Sequence, residues 1–472
     1  MIAHKQLLFD QLTPISIYSQ LKKRFPNELS FLFESALSCD GGNYSFIFIG
    51  ANERLTFKDN KTTHIDTDGK SNDLEVDPFS FLKSYYKKLD QDKYKKLSSE
   101  LNIGFIDGFI GFIGYDSVKI FEPILQKTMD SLRDDLNTPD IDLIRPKLVV
   151  AFSHKSNTLT LLTSVKEYAK ELDEIVDFLK EPYEYKHIQK SHIDPNKGSF
   201  AFSKEKFFEM VDRSKEMIKS GDVFQILMAN RFTQEANIDK LSFYRILRSK
   251  NPSPYMFLLE FEDFTIAGSS PEVMVALNGG KILLRPIAGT RRRGNTTERD
   301  EELATEMLND EKECAEHLML VDLGRNDVGR VAKTGTVKVT DMMRVERYSH
   351  VMHMVSDIDA TIDEKYDMFD LFAATFTAGT MTGAPKIRAM QLIAEFEAIK
   401  RGFYSGAVGY FGFDGNMDSS IAIRTSLLTD DKIIFQAGAG IVADSQKELE
   451  FLEVDNKLAA MMSALNELNI DG

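Results

Sequence analysis

Hydrophobic and polar positions change period several times along this chain, and the changes mark out its elements. Short apolar runs and alternations over 45–50 (SFIFIG), 105–116 (FIDGFIGFIGYD) and 143–153 (LIRPKLVVAFS) predict strands, and the amphipathic stretch 164–180 predicts a helix. Periodicity is then lost over 181–200, where Pro, Gly and charge accumulate in EPYEYKHIQKSHIDPNKGSF. Such a composition predicts a connection, dividing the chain into an N-terminal region, 1–190, and a larger region, 191–472, which are expected to share sheets. Beyond it the pattern predicts a helix over 204–220, a strand over 224–232, a strand hairpin from 255–267 and 273–285, and a helix over 298–322. Strands follow near 345–358, 403–413, 419–428 and 432–438, and a last helix covers 446–467. Helices and strands do not alternate regularly enough for a doubly wound parallel sheet. The fold class is therefore α+β, with antiparallel sheets and helices packed outside them. No internal period marks a solenoid.

Composition narrows the function. With 472 residues, 43% of them hydrophobic, the chain can fill two ordinary domains or one large composite. A net charge of -15 leaves little footprint for nucleic acid, which needs clustered Lys and Arg. The start, MIAHKQLLFDQLTP, lacks the charged and apolar runs of a signal peptide, and no run of about 18 apolar residues occurs, so no membrane partner and a cytoplasmic location are expected. Cys39 and Cys314 are too few for a disulfide framework or a metal cluster. Cys314, in a helical pattern, reads as a packed thiol.

Several side chains carry chemical promise. Glu313 and Glu316 lie three residues apart on one predicted helix, and Glu450 and Glu453 repeat the spacing on another. Brought face to face, the pairs would make an oxygen-rich pocket for a hard cation such as Mg²⁺; apart, they are solvated surface charge. The apolar neighbours Leu449, Phe451 and Leu452 favour a packed setting, and Lys457 lies one turn beyond Glu453. The glycine-rich segments FTAGTMTGAPKIRAM (376–390) and FQAGAGIVADS (435–445) fit neither dinucleotide nor P-loop spacing. Gly438 and Gly440 would let backbone N–H groups approach an anion, or would simply form a tight turn. Arg424 alternates with Ile421 and Ile423 in a buried-looking strand, where an arginine calls for a carboxylate partner from protein or substrate. His350 and His353 fall on opposite faces of one strand, so one faces inward, either as a core residue or as a catalytic one. Glu272 follows Pro271 at a strand start, a position where desolvation would raise its pKa toward that of a general acid.

Taken together, PIAGTRRRGNTTERDEELATEMLNDEKECAEHLMLVDLGRNDVGRV (286–331), YSHVMHMVS, FTAGTMTGAPKIRAM, FYSGAVGYFGF and AGAGIVADSQKELEFLEVDNK resemble the chorismate-utilising enzyme family, and within it the anthranilate synthase component I branch. The likeness is strong over about 200–472 and looser before it, through FLFESA, NYSFIFIG and GFIGYD. It implies a four-layer sandwich in which two largely antiparallel sheets enclose the site. It also implies roles. Glu316 and Glu453 match direct Mg²⁺ ligands, with Glu313 and Glu450 as outer carboxylates. Arg424 and Tyr404 match contacts to the enolpyruvyl carboxylate of chorismate, and Gly438, Ala439, Gly440, Thr290 and Lys457 the remaining substrate positions. Glu272 matches the general acid, and His353 the histidine of the later elimination, which leaves His350 a structural part. Gln225 stands where relatives that add water carry a lysine base; ammonia needs no such base. Ala288 stands where aminodeoxychorismate synthases usually have the lysine of PIKGT. Arg292 replaces the proline of the usual TRPRG.

The implied activity converts chorismate and ammonia to anthranilate and pyruvate, opening tryptophan biosynthesis. An aminodeoxychorismate synthase of the folate pathway is the alternative. With no G-x-C-x-G motif, the chain would depend on a separate glutamine amidotransferase subunit for ammonia. The resemblance further implies feedback inhibition by tryptophan, bound by Glu34 and Ser35 of FLFESA, by Pro254, Tyr255 and Met256 of NPSPYMF, and by Val408, Gly409 and Tyr410 of GAVGY.

Overall fold

The computed structural model describes residues 2–35, 44–348 and 351–470; Cys39 and His350 lie outside them. Its strands form one antiparallel network that divides into two arms. The division occurs at the long strands Tyr44–Lys58 and Ile141–Ser153, which pair with each other across a register shift between Ala51 and Glu53. On one side of that bulge they take Ser30–Glu34 and Thr158–Thr163 as outer neighbours, and on the other Lys61–Ile65 and Gly108–Ile113.

The first arm runs Ala3–Leu8, Thr158–Thr163, the shared pair, Ser30–Glu34, Tyr255–Glu260, Thr265–Ser270, Thr425–Leu428, Lys432–Ile441 and Gln225–Glu235. The second runs Ser71–Leu74, Lys61–Ile65, the shared pair, Gly108–Ile113, Ala407–Gly412, Met417–Ile421, Val273–Asn278, Lys281–Leu284 and Val351–Thr361. Ile287–Arg292 and Lys338–Arg347 also pair with Val351–Thr361. Both arms thus draw strands from either side of the 181–200 segment.

Alternation along the strands builds the layers. In Gln225–Glu235, Ile226 and Met228 pack with Phe207, Phe243 and Leu458 of the helices Lys204–Lys219, Lys240–Lys250 and Lys447–Leu468. Leu227 and Ala229, of opposite parity, join the other cluster with Phe109, Phe257 and Tyr404. Helices Pro78–Tyr86, Glu311–Gly329 and Met368–Thr375 pack against the second arm through Phe79, Val321 and Phe372. The order is helix, sheet, sheet, helix, the expected four-layer α+β sandwich.

Some predicted elements are divided. The helix expected over 298–322 is two, Thr297–Asn309 and Glu311–Gly329. Asp310 between them leaves helical geometry (ψ 106°) and its carboxylate accepts the N–H groups of Lys312 and Glu313, a cap that competes with continuing the helix. Each arm of the hairpin expected from 255–267 and 273–285 is itself a hairpin, turning at 261–264 and at Asn278-Gly279-Gly280. Gly279 and Gly280, with φ of +56° and +80°, supply the left-handed turn that an Asn-Gly pair announces. The strand expected over 419–428 is broken after Ile421 and resumes at Thr425.

Candidate functional site

Glu272 sits at the joint between Thr265–Ser270 and Val273–Asn278, tied down by Ser270 Oγ, which accepts its N–H at 3.3 Å, and by its own carbonyl, which accepts from Ile421 N–H at 3.0 Å. The side chain is buried, and its Oε1 accepts a hydrogen bond from Thr380 Oγ1 at 3.0 Å. Burial pushes the carboxyl up to about 8, only partly offset by Thr380 and by the charges of Lys457 and Arg424. Thr380 comes from the glycine-rich segment 376–390, to which sequence reasoning gave no donor role.

His353 is inward-facing and buried on Val351–Thr361, opposite Thr290 in the register. Its Nδ1 lies 3.2 Å from the Gly289 carbonyl and 3.0 Å from Thr290 Oγ1. A carbonyl only accepts, so the proton belongs on Nδ1. Nε2 then keeps its lone pair, buried with no partner among the described residues. Burial, reinforced by Arg424, lowers the ring's pKa to about 4, so the imidazole is neutral at physiological pH.

Arg424 does not lie within a strand, as alternation had implied. It occupies the break between Met417–Ile421 and Thr425–Leu428 with φ +49°, and its carbonyl accepts from Ser269 N–H. Among the described residues no carboxylate forms an ion pair with its guanidinium, whose pKa burial lowers. Arg424 and Lys457 each act electrostatically on both Glu272 and His353, so these four converge on one region.

The segment around Gly438 and Gly440 is strand, not turn: both lie in Lys432–Ile441, opposite Ala229 and Leu227. A Cβ on Gly438 would stand 2.6 Å from Leu227 Cδ2 and 3.2 Å from the hydroxyl of buried Tyr404, and one on Gly440 would stand 2.6 Å from Gln225 Nε2. Ala439, between them, packs on the helix side. Lys457 Nζ donates to the Gly438 carbonyl at 2.8 Å, which brings the last helix to this strand. Gln225 Nε2 donates to Glu316 Oε1 at 3.1 Å, while Gln225 Oε1 is buried without a partner among the described residues.

The carboxylates are near neighbours but are not assembled around a point. Glu316, half-buried, has its pKa raised by burial and then by the like charges of Glu313 and Glu453, and Glu450 is raised by burial and by Glu453. Glu313 is engaged by Arg291 at 2.8 Å and Glu453 by Lys457 at 2.7 Å. Among the described residues no three acidic or histidine side chains stand at ligating distance. A hard cation suits this donor set, because it would relieve the raised carboxylates and could use the free Gln225 oxygen, once Glu453 exchanges Lys457 for it. The packed setting expected around Glu450 holds only for Phe451, which meets Phe207; Leu449 and Leu452 are exposed. Cys314 is part-buried beside Met307, with its Sγ 3.2 Å from the Leu308 carbonyl. Arg292 is exposed.

The residues assigned to tryptophan form a second, separate group. Glu34 and Met256 are register partners on adjacent strands, with Tyr255 and Pro254 next along and Ser35 just past the strand end. Glu34 Oε2 accepts from Tyr244 Oη at 2.8 Å and Arg248 Nε at 3.0 Å, whereas its Oε1 is buried with no partner among the described residues. Tyr255 Oη donates to Asp418 Oδ1 at 3.0 Å, and Asp418 is the register partner of Tyr410, beside Gly409 and Val408. Tyr244, Arg248 and Asp418 carried no pattern of their own in the sequence.

Fold and site together define a class. The family model described as chorismate binding enzyme matches residues 31–463, and the chain belongs to that family. Within it, the chain is 43% identical to the anthranilate synthase component 1 of Aquifex aeolicus, over 98% of this chain and 94% of that one. It is 41% identical to the protein of the same name from Acinetobacter calcoaceticus, over 99% and 95%. The crystal structure of anthranilate synthase component I from Streptococcus pneumoniae matches with a TM-score of 0.78 at 34% identity, covering 90% of this chain and 93% of that one. The menaquinone-specific isochorismate synthase of Escherichia coli shares the fold, with a TM-score of 0.73 at 18% identity over 98% and 95%. Among the described residues no helix is long and apolar enough to cross a membrane.

Proposed function

We propose that this chain is the chorismate-consuming subunit of an anthranilate synthase. It joins ammonia to chorismate and releases pyruvate, giving anthranilate, the first step of tryptophan biosynthesis. The observation that carries this reading is the meeting of a carboxyl held neutral by burial, Glu272, an imidazole lone pair, His353 Nε2, and an arginine, Arg424, that forms no ion pair among the described residues. Full-length likeness to relatives named anthranilate synthase component 1 supports the branch, and Ala288, which has no nucleophile to offer, speaks against the aminodeoxychorismate alternative.

Arg424 and Tyr404 receive the enolpyruvyl carboxylate. The strand at Gly438, Ala439 and Gly440 lies along the bound chorismate, and Thr290 and Lys457 complete the contacts. Glu272 donates its proton to the departing ring hydroxyl as ammonia bonds to the carbon ortho to the ring carboxylate, so water leaves. Gln225 Oε1 can accept a hydrogen bond at this site but takes no proton. His353 Nε2 then faces the ring proton whose loss, with departure of the side chain as pyruvate, makes the ring aromatic. A bound Mg²⁺, held by Glu316 and Glu453 with Glu313 and Glu450 acting through water, would neutralise the ring carboxylate.

Ammonia would come from a separate glutamine amidotransferase subunit. Purified chain given chorismate, Mg²⁺ and either ¹⁵N-ammonium or amide-¹⁵N glutamine tests this. Label should enter anthranilate from ammonium alone, and entry from glutamine without a partner would contradict the subunit assignment.

A further inference from the structure

The Glu397–Arg401 ion pair stands outside the substrate contacts, and both residues are almost wholly buried, at 4% and 1% exposure. Arg401 Nε and Nη2 donate to the two Glu397 oxygens at 2.9 and 2.6 Å. Replacing a buried pair with apolar groups of like volume is often neutral or stabilising, so stability gives it no sufficient reason. Its remaining hydrogen bonds do. Arg401 Nη2 also donates to the Leu227 carbonyl and Nη1 to the Met381 carbonyl, both at 2.9 Å, while Glu397 Oε1 accepts the Ala229 N–H at 3.0 Å.

These contacts fall in a gap in the sheet. The edge of Gln225–Glu235 facing away from Lys432–Ile441 pairs with Gly383–Ala384 at residues 225 and 226, and with Gly198–Phe200 at residues 232–234. Between them no strand among the described residues reaches it. The Leu227 carbonyl and the Ala229 N–H would be buried and unpaired there, and the ion pair takes the place of the missing strand. Leu227 and Ala229 are the register partners of Gly440 and Gly438. Met381 directly follows Thr380, the donor to Glu272, and the Arg401 guanidinium lies 5.8 Å from the Tyr404 ring.

We infer that Glu397 and Arg401 are positioning residues, a side-chain clamp that sets the strand behind Gly438 and Gly440 and the loop carrying Thr380 at one fixed spacing. This rests on the chorismate reading of the site. Arg401→Lys keeps the charge but loses the fork that reaches two carbonyls; Glu397→Gln keeps an acceptor for the Ala229 N–H but loses the charge. Each is compared with wild type and with Ile175→Ala, a cavity variant in the distant helix-side cluster that controls for lost stability.

For the folded variants, the KM for chorismate should rise at least about 10-fold, and the alkaline limb of kcat, at fixed free ammonia, should move to higher pH as Thr380 loosens from Glu272. Ile175→Ala, at an equal loss of Tm, should change neither. A folded Arg401→Lys or Glu397→Gln with wild-type KM and pH limb overturns the inference. So does unfolding of both variants, which would assign the pair to folding alone. If wild type turns over no chorismate, the reading of the site fails instead, and amide exchange of Ala229, expected to accelerate at least about 10-fold in either variant but not in Ile175→Ala, still decides the clamp.

Discussion

Burial acts on Glu272 and His353 in opposite directions on the pKa scale and to the same end: each is kept uncharged. The carboxyl, raised from 4.5 to about 8, is a proton donor at neutral pH; the imidazole, lowered from 6.5 to about 4, is a lone-pair acceptor. Activity at fixed free ammonia should therefore fall as pH rises through about 8, where Glu272 ionises. The same shift has a stability consequence. Between pH 4.5 and 8 the folded chain holds a proton at Glu272 that the unfolded chain has released. The stabilising contribution is thus full below 4.5 and is lost as pH climbs to 8, at up to about 1.4 kcal/mol per pH unit. Glu272→Gln should abolish turnover yet raise Tm relative to wild type at pH 8; turnover within a few-fold of wild type would remove Glu272 from the chemistry. Much at this scale was legible because polar residues in apolar surroundings announce themselves: the Pro271-Glu272 strand start and the inward histidine are examples. The proton's seat on Nδ1 was not, since it depends on the Gly289 carbonyl, brought close only by strand pairing.

Elements decide how those residues are presented. The two i,i+3 glutamate pairs were visible as spacing, but Asp310 was not visible as a break. It makes Glu313 a first-turn residue of a new helix beside Arg291, rather than a mid-helix one. The glycine-rich 435–445 segment invited a turn because glycine usually marks one; the long pairing with Gln225–Glu235 overrides that preference. Here glycine is needed for closeness. Gly438→Ala should raise the KM for chorismate by at least about 10-fold, because the added methyl meets Leu227 and the Tyr404 hydroxyl. Glu316→Gln should remove Mg²⁺-dependent turnover while leaving Tm within a few degrees of wild type. Near-normal rates at saturating chorismate would place the cation elsewhere.

At the scale of the whole molecule, the pairing of Ser30–Glu34 with Tyr255–Glu260 and of Gly108–Ile113 with Ala407–Gly412 makes one structure of two sequence regions. Periodicity gave the strands but not their partners, because long-range pairing leaves no local trace. That pairing also sets the proposed tryptophan pocket next to Glu272, the proposed catalytic acid. Tyr255 is the register partner of Ser270, two residues before Glu272, and Val408 is the partner of Ser420, which in turn pairs with Val273. The unpartnered Glu34 Oε1 suits an α-ammonium group, so tryptophan should weaken chorismate binding by about 5- to 150-fold, and chorismate should weaken tryptophan binding equally. The chain has no tryptophan of its own, so the ligand's indole fluorescence reports binding directly. Ser35→Leu should keep catalysis and lose inhibition; equal inhibition of the variant would move the pocket. The central claim, that this site turns chorismate and ammonia into anthranilate, is tested most directly by identifying the aromatic product formed by the purified chain with chorismate, Mg²⁺ and ammonium. Anthranilate with an equivalent of pyruvate is the result predicted; 4-aminobenzoate, isochorismate or unchanged chorismate would contradict it.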